Sequence, residues 1–279
     1  MIVFRIIAAL PRFVLPSLAG MIAVLAFVFE KKGSKIIKHN VQRVYNLPVG
    51  SDFATNFVRQ VFQTQVVLFL ETIRYVFRPH EVRIDGIEEA KKILESASEQ
   101  TGVIIIAAHH GAWELAGHVA AKCLSRDFHA LAKPSRSAWL TKALNKIREM
   151  LDMNVLWTDS KTLLRDMMEI SNKKEHLGFV MDQRPAKRAS GFPCRFLGVP
   201  DTHIVQGPAM MAAKKQMPVF GVHSVRVGFC HYQFYVTEVL GANHGMTDQG
   251  RIAQLMADDL SRMILMYPEQ WAWNYRRWK

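Results

Sequence analysis

His109 and Glu114 are the two residues of this chain whose types and spacing best suit chemistry. They lie in VIIIAAHHGAWELAGH, residues 103–118, where an apolar run from Val103 to Ala108 stops at His109 and His110, and Gly111 follows. That order reads as a buried strand, a tight turn and a helix. It delivers an imidazole at the carboxyl end of a strand, with a carboxylate five positions on that is able to turn back toward it. Such a pair works as a general base near neutral pH, because the carboxylate orients the ring and stabilises its protonated form. The alternative is two polar residues at an ordinary strand–helix junction. His110, Glu114 and His118 also fall at i, i+4 and i+8 on one helical face, a spacing that metal ligands share. No other cluster of ligand spacing accompanies them, so no metal is expected.

The elements that must hold these residues follow from the hydrophobic pattern. Short apolar runs at 103–108, 129–132, 154–157, 178–181 and 219–222 alternate with helical stretches at 112–124, 138–151, 161–172 and 205–215. This alternation predicts an α/β fold: a largely parallel sheet flanked by helices. Segments 222–227 and 232–239 extend that sheet in antiparallel fashion, and 247–266 is the last long helix. Ligands of open α/β sheets bind beyond the carboxyl ends of the strands, where His109 is expected. Asp182, Gln183 and Arg184 follow the run GFVM and occupy a second such end. The segment from Pro185 to His203 reads as a long, ordered basic loop, with Lys187, Arg188 and Arg195 available to phosphate groups or to solvent.

Upstream, Phe13–Phe29 contains no charge. As a helix it spans about 25 Å, just short of a hydrocarbon core of roughly 30 Å. No small-residue cleavage site follows it, and Lys31, Lys32, Lys35, Lys38 and Arg43 form a basic flank. The expectation is an N-terminal hydrophobic membrane-anchor helix with its flank at residues 1–45, and a catalytic α/β domain at residues 46–279 facing the cytoplasm. Helices at 35–45 and 52–77 come next, the second with an apolar face that packs on the body or shields an acyl chain. With 49% hydrophobic residues and a net charge of +12, the chain favours anionic partners: a membrane surface, nucleic acid, or an acidic protein or lipid. The basic tail Arg276-Arg277-Trp278-Lys279, with Trp271 and Trp273 nearby, suits single-strand binding or a membrane interface. The apolar N-terminus favours the membrane, so no nucleic acid is expected. Cys123, Cys194 and Cys230 are too far apart for a disulfide framework or a zinc site.

HHGAWELAG, with His109-x4-Glu114, resembles the HX4D/E signature of the lysophospholipid acyltransferase superfamily. More narrowly, the chain resembles the bacterial late lipid A acyltransferases. Lys133-Pro134 stands where that family has Arg-Pro, Arg148 where a further Arg follows, and GFVMDQ matches its strand-DQ element. FLG at 196–198, QGPAMMAA at 206–213 and the ending YPEQWAWNYRRWK match further elements in the family's order, over nearly the whole chain. The Lys at 133 is a departure, replacing a planar two-point grip by a point charge.

The resemblance implies an O-acyltransferase that moves a fatty acyl chain from an acyl-carrier-protein thioester to a hydroxyl of a lipid A precursor at the inner membrane, without a cofactor. His109 is then the general base and Glu114 the residue that holds the imidazole. Lys133, Arg148, Asp182, Gln183 and Arg184 are supporting or substrate-binding residues, with backbone amides near Gly111 or Arg148 as oxyanion donors. No acyl-enzyme is needed, which agrees with the lack of a GxSxG elbow. Three alternatives remain: a different glycolipid or phospholipid acceptor, a thioester hydrolase, and a non-enzymatic membrane scaffold.

Overall fold

The four residues Ile104–Ala107 form a strand with every side chain buried, and alternate residues face opposite layers of the molecule. Ile104 and Ile106 enter one core and Ile105 and Ala107 the other, as a strand covered on both faces requires. In the computed structural model, which describes residues 2–135, 137–185 and 191–278, the chain begins with α1 (Ile2–Ala9), α2 (Val14–Phe29), α3 (Lys31–Tyr45) and α4 (Asp52–Phe77). The α/β body follows as β1 (Arg83–Asp85), α5 (Ile87–Ser98), β2 (Ile104–Ala107), α6 (Trp113–Cys123), β3 (Phe128–Ala132), α7 (Ala138–Met150), β4 (Asn154–Trp157), α8 (Leu163–Asn172) and β5 (His176–Val180). It closes with β6 (Gly191–Phe196), β7 (Val199–Val205), α9 (Gly207–Lys215), β8 (Val219–Gly228), β9 (His231–Leu240) and α10 (Gln249–Met266).

Seven strands form one sheet in the order β1-β9-β8-β2-β5-β3-β4. All neighbours are parallel except β8 and β9, an antiparallel pair. The expected mixed α/β architecture is therefore present, and 219–227 is one continuous strand rather than two. Helices α5, α6 and α7 contribute to the core on one face of the sheet, and α8, α9 and α10 to the core on the other. The expected loop between Pro185 and His203 is corrected: β6 and β7 form an antiparallel hairpin, seated on α10 by hydrogen bonds of Arg195 to Gln254 and of Leu197 to Ser261. Alternating residues Cys194, Phe196, Thr202 and Ile204 are buried, a two-residue period hidden by the Gly and Pro content. Lys187 and Arg188 lie outside the described residues.

The N-terminal helices pack on the body. Small residues Ala19 and Ala23, with Leu15, bury one face of α2, while Met21, Val24, Val28 and Phe29 on the others are half or more exposed. Arg74 of α4 donates to the carbonyls of Ala8 and Leu10 and pairs with Glu81. Glu71, also on α4, is buried and receives Arg226 through two hydrogen bonds and the Tyr232 hydroxyl at 2.6 Å, fixing α4 to β8 and β9. Among the described residues no single helix is long and apolar enough to cross a membrane; α2 and α3 reach that length only as a pair bent by 87°.

One backbone position governs how β2 passes into α6. Gly111 has φ +57°, and a Cβ there would lie 2.1 Å from the Ser224 carbonyl oxygen on β8. Gly111→Ala is expected to cost about 3 kcal/mol, seen as a fall of roughly 6–12 °C in thermal unfolding. Gly20→Ala on α2, where a Cβ meets nothing within 4 Å, is expected to leave unfolding unchanged or raise it slightly.

Candidate active site

The parallel register of β2 and β5 sets the site. Ala107 lies opposite Val180, and the Met181 amide donates to the Ala107 carbonyl at 3.0 Å. Two residues further along both strands, His109 meets Asp182. The Asp182 carboxylate is 2% exposed and accepts three hydrogen bonds. They come from His109 Nδ1 at 2.8 Å, the His109 backbone amide at 3.1 Å and Trp271 Nε1 at 2.7 Å. Burial works to raise the Asp182 pKa, but the His109 charge and these donors outweigh it and hold it below the usual carboxylate range. Burial likewise works to lower the His109 pKa. The charge and hydrogen bond of Asp182, helped by Glu114 and opposed by Arg148, raise it above the usual imidazole value.

Glu114 does not hold the imidazole, and that expectation is corrected. It stands in the first turn of α6 and turns to α7, where Arg148 donates Nη2 to Oε1 at 2.6 Å and Nε to Oε2 at 3.1 Å. The two side chains are only 15% and 17% exposed, so this is a half-desolvated two-point ion pair rather than a surface one. Burial tends to lower the Arg148 pKa, but Glu114 raises it overall. Both charges act on His109 through space.

Four of the expected residues are thus tied to His109 or lie in its field: Asp182, Glu114, Arg148 and Gln183. The Gln183 amide nitrogen sits 3.4 Å from both ring nitrogens of His109. The Trp113 ring meets the imidazole edge to face, with centroids 5.2 Å apart. Arg184 is exposed two residues beyond Asp182, and Lys133 is exposed just beyond β3, at the same end of the sheet. The amides expected as oxyanion donors are taken: Gly111 donates to the Gln270 carbonyl and Ala112 to the Ser224 carbonyl. His110 and His118 are parts of the framework. His110 is buried and held by the Tyr267 carbonyl at 2.9 Å; burial, reinforced by the His223 charge, pushes its pKa down to about 4. His118 bonds the Leu151 carbonyl at 2.8 Å.

The C-terminal segment is the part of the site that composition hid. Trp271, Trp273 and Trp278 are buried rather than presented to a membrane interface or a nucleic acid. Gln270 clamps the backbone of Arg226 from both sides at 2.9 Å, the Ala272 amide donates to the His109 carbonyl, and His110 bridges Trp271. An aromatic embedded in a run otherwise rich in charge was the available signal.

Two spaces reach the segments that carry the site, one at the turn after His109 and one at Arg184. An apolar cavity of about 210 Å³ lies between α4, α6 and α7, walled by Leu68, Phe69, Ile73, Trp113 and Ile147, with Glu114 at its edge. On the Arg184 side, a cleft of about 910 Å³ is lined by α3 and the C-terminal segment. Imidazole, carboxylate and guanidinium in this arrangement suit proton abstraction from a hydroxyl and stabilisation of a developing oxyanion.

The family described as bacterial lipid A biosynthesis acyltransferase matches residues 1–279. The chain is 22% identical over 276 residues, 97% of its length and 86% of the relative's, to a lipid A biosynthesis palmitoleoyltransferase of Escherichia coli (strain K12). It matches a lipid A biosynthesis acyltransferase of Shigella flexneri with the same identity and coverage.

Trp271 supplies one of three donors to a buried carboxylate. Trp271→Phe keeps an aromatic ring but removes the indole N–H and part of the buried volume, leaving that oxygen short, so chemical denaturation at pH 7 is expected to show a loss of at least about 1–3 kcal/mol. The loss should shrink as pH falls through the depressed Asp182 pKa, because the carboxylate contributes stability only while ionised.

Proposed function

Because the chain belongs to the bacterial lipid A biosynthesis acyltransferase family, and is an O-acyltransferase acting on lipid A, we propose that it transfers a fatty acyl chain from an acyl-carrier-protein thioester to a hydroxyl of a lipid A precursor, with His109 as general base. The observation that carries this is the Nδ1 contact to Asp182. It leaves Nε2 as the ring nitrogen available to an acceptor hydroxyl. Nε2 takes the hydroxyl proton as that oxygen attacks the thioester carbonyl. The tetrahedral intermediate then collapses, the carbon–sulfur bond breaks, and the imidazolium returns the proton to the departing thiolate.

Glu114 and Arg148 act as a unit in this reading. Glu114 grips Nε and Nη2 and leaves Nη1 outside the pair, so it positions the guanidinium that faces the developing oxyanion. The carboxylate nearest the reacting atoms is therefore Asp182, and Glu114 is a positioning residue. The apolar cavity between α4, α6 and α7 suits the acyl tail of the donor, since its walls reach the turn that carries His109. The exposed apolar residues of α1 and α2, Ile2, Ile6, Val24, Val28 and Phe29 among them, support seating on the cytoplasmic face of the inner membrane, with Lys31, Lys32 and Lys35 toward anionic headgroups.

Acyl transfer from a labelled carrier-protein thioester to lipid A precursor in detergent tests the reading. His109→Ala is expected to abolish transfer while the protein still folds, and Glu114→Ala to lower it by up to roughly 10²- to 10³-fold, the worth of one positioned oxyanion donor. Transfer near the wild-type level in His109→Ala would sink the mechanism. Thioester hydrolysis by the wild type without transfer would assign a hydrolase or a different acceptor.

The same assay has a pH signature. A base must be deprotonated, so kcat/KM should rise with pH through an apparent pKa above the usual imidazole value of about 6.5. Asp182→Asn removes the charge that raises this pKa. It is expected to move that limb to lower pH and to lower the plateau by about 10²-fold or more.

A further inference from the structure

The cleft of about 910 Å³ beside the site is lined by Lys31, Lys32, Lys35 and His39 from α3, and by Arg184 and Arg276. All six are exposed, no carboxylate is among the described lining residues, and none of the five Lys and Arg side chains has an ion pair or hydrogen bond to another described residue. Glu30, the nearest acid in sequence, is occupied as the cap of α3 through the Gly33 amide at 2.8 Å. Five like charges around one opening repel each other, and a multiply charged anion removes that cost.

The walls are preorganised. Asn40, one turn beyond Ile36 on α3, donates to the carbonyls of Trp273 and Tyr275 at 2.8 and 2.7 Å, and the Tyr275 hydroxyl donates to the Arg184 carbonyl at 3.3 Å. The three segments that carry the cations are thus bonded to one another. Between Arg276 and Trp278, Arg277 is buried with Nε and Nη1 unpartnered among the described residues, which adds positive charge behind that wall.

We propose that this cleft binds the phosphate groups of the phosphorylated glycolipid acceptor, an assignment that rests on the acyl-transfer reading above. Two observations favour a lipid headgroup over an acidic carrier protein. Phe29 is 76% exposed and Val28 50%, and only the capping residue Glu30 separates them from Lys31, so an apolar tail and an anionic head are met in succession along one helix pair. Arg184 stands two residues from Asp182, which brings the headgroup to the carboxyl ends of β2 and β5 where His109 lies. Lys31, Lys32 and Lys35 act as adaptable point charges, while Arg184 and Arg276 offer forked donors suited to phosphate oxygens.

The test uses the full chain in phosphatidylcholine vesicles doped with phosphorylated glycolipid or with its dephosphorylated form. Wild type is compared with the double variant Lys35→Gln/Arg276→Gln and with Lys91→Gln/Lys92→Gln, an equal loss of charge on exposed positions of α5. The cleft variant is expected to bind the phosphorylated vesicles about tenfold or more weakly, with binding to the dephosphorylated form unchanged and the α5 variant like wild type. In transfer assays its KM for the acceptor should rise to match, with kcat within about threefold and the KM for the donor unaffected. Equal losses in the two variants would reduce the effect to general surface charge and overturn the proposal, as would unchanged binding. A raised donor KM with normal acceptor binding would assign the cleft to the carrier protein instead. A protein that makes no transfer yet shows the binding difference would refute the acyl-transfer reading and leave the phosphate cleft standing.

Discussion

One buried carboxylate sets the arrangement of everything around it. Asp182 sits at the end of β5 with almost no access to water, and a charged group there is tolerated only if its oxygens are fully bonded. Its three donors come from two distant places: the turn after β2 and the segment at Trp271. The sheet register, the tight turn through Gly111 and the seating of the C-terminal segment are consequently one problem with one solution. The Gln270 clamp on Arg226 and the Ala272 contact to the His109 carbonyl hold the same three pieces from outside.

Around that centre the charges are sorted by partner. The Glu114–Arg148 pair is neutral as a unit and stands beside an apolar cavity, with Arg148 Nη1 left outside the pair. The Lys and Arg side chains lining the cleft on the Arg184 side have no ion pair or hydrogen bond to another described residue. A transfer reaction between two amphiphiles needs such a division. One side must take an uncharged hydrocarbon tail and the other an anionic head, with the base between them.

The α/β alternation was legible because buried strands and amphipathic helices have different periods. Asn154–Trp157 and Asp52–Phe77 coincide with β4 and α4. Helix α5 carries its signal only in Ala90, Leu94 and Ser98, which recur every four residues on its buried face, and the β6–β7 hairpin is obscured by Gly and Pro in a basic context. In the site, His109 was legible from the abrupt end of an apolar run. Its partner was not. Sequence proximity favoured Glu114, but the turn at Gly111 starts α6 so that Glu114 faces α7, whereas Asp182 is reached only through the β2–β5 register. Trp271 is 89 residues from Asp182 along the chain, a separation across which no local pattern operates.

In the proposed mechanism Asp182 fixes the tautomer of His109, leaving Nε2 free to take a proton. Nitrogen-15 NMR of the ring nitrogens of His109 in the full chain, recorded above its raised pKa and compared with Asp182→Asn, reads this directly. A protonated Nδ1 and an unprotonated Nε2 are expected in the wild type, with that preference lost in the variant. A wild-type ring protonated at Nε2, with Nδ1 bare, would contradict the mechanism.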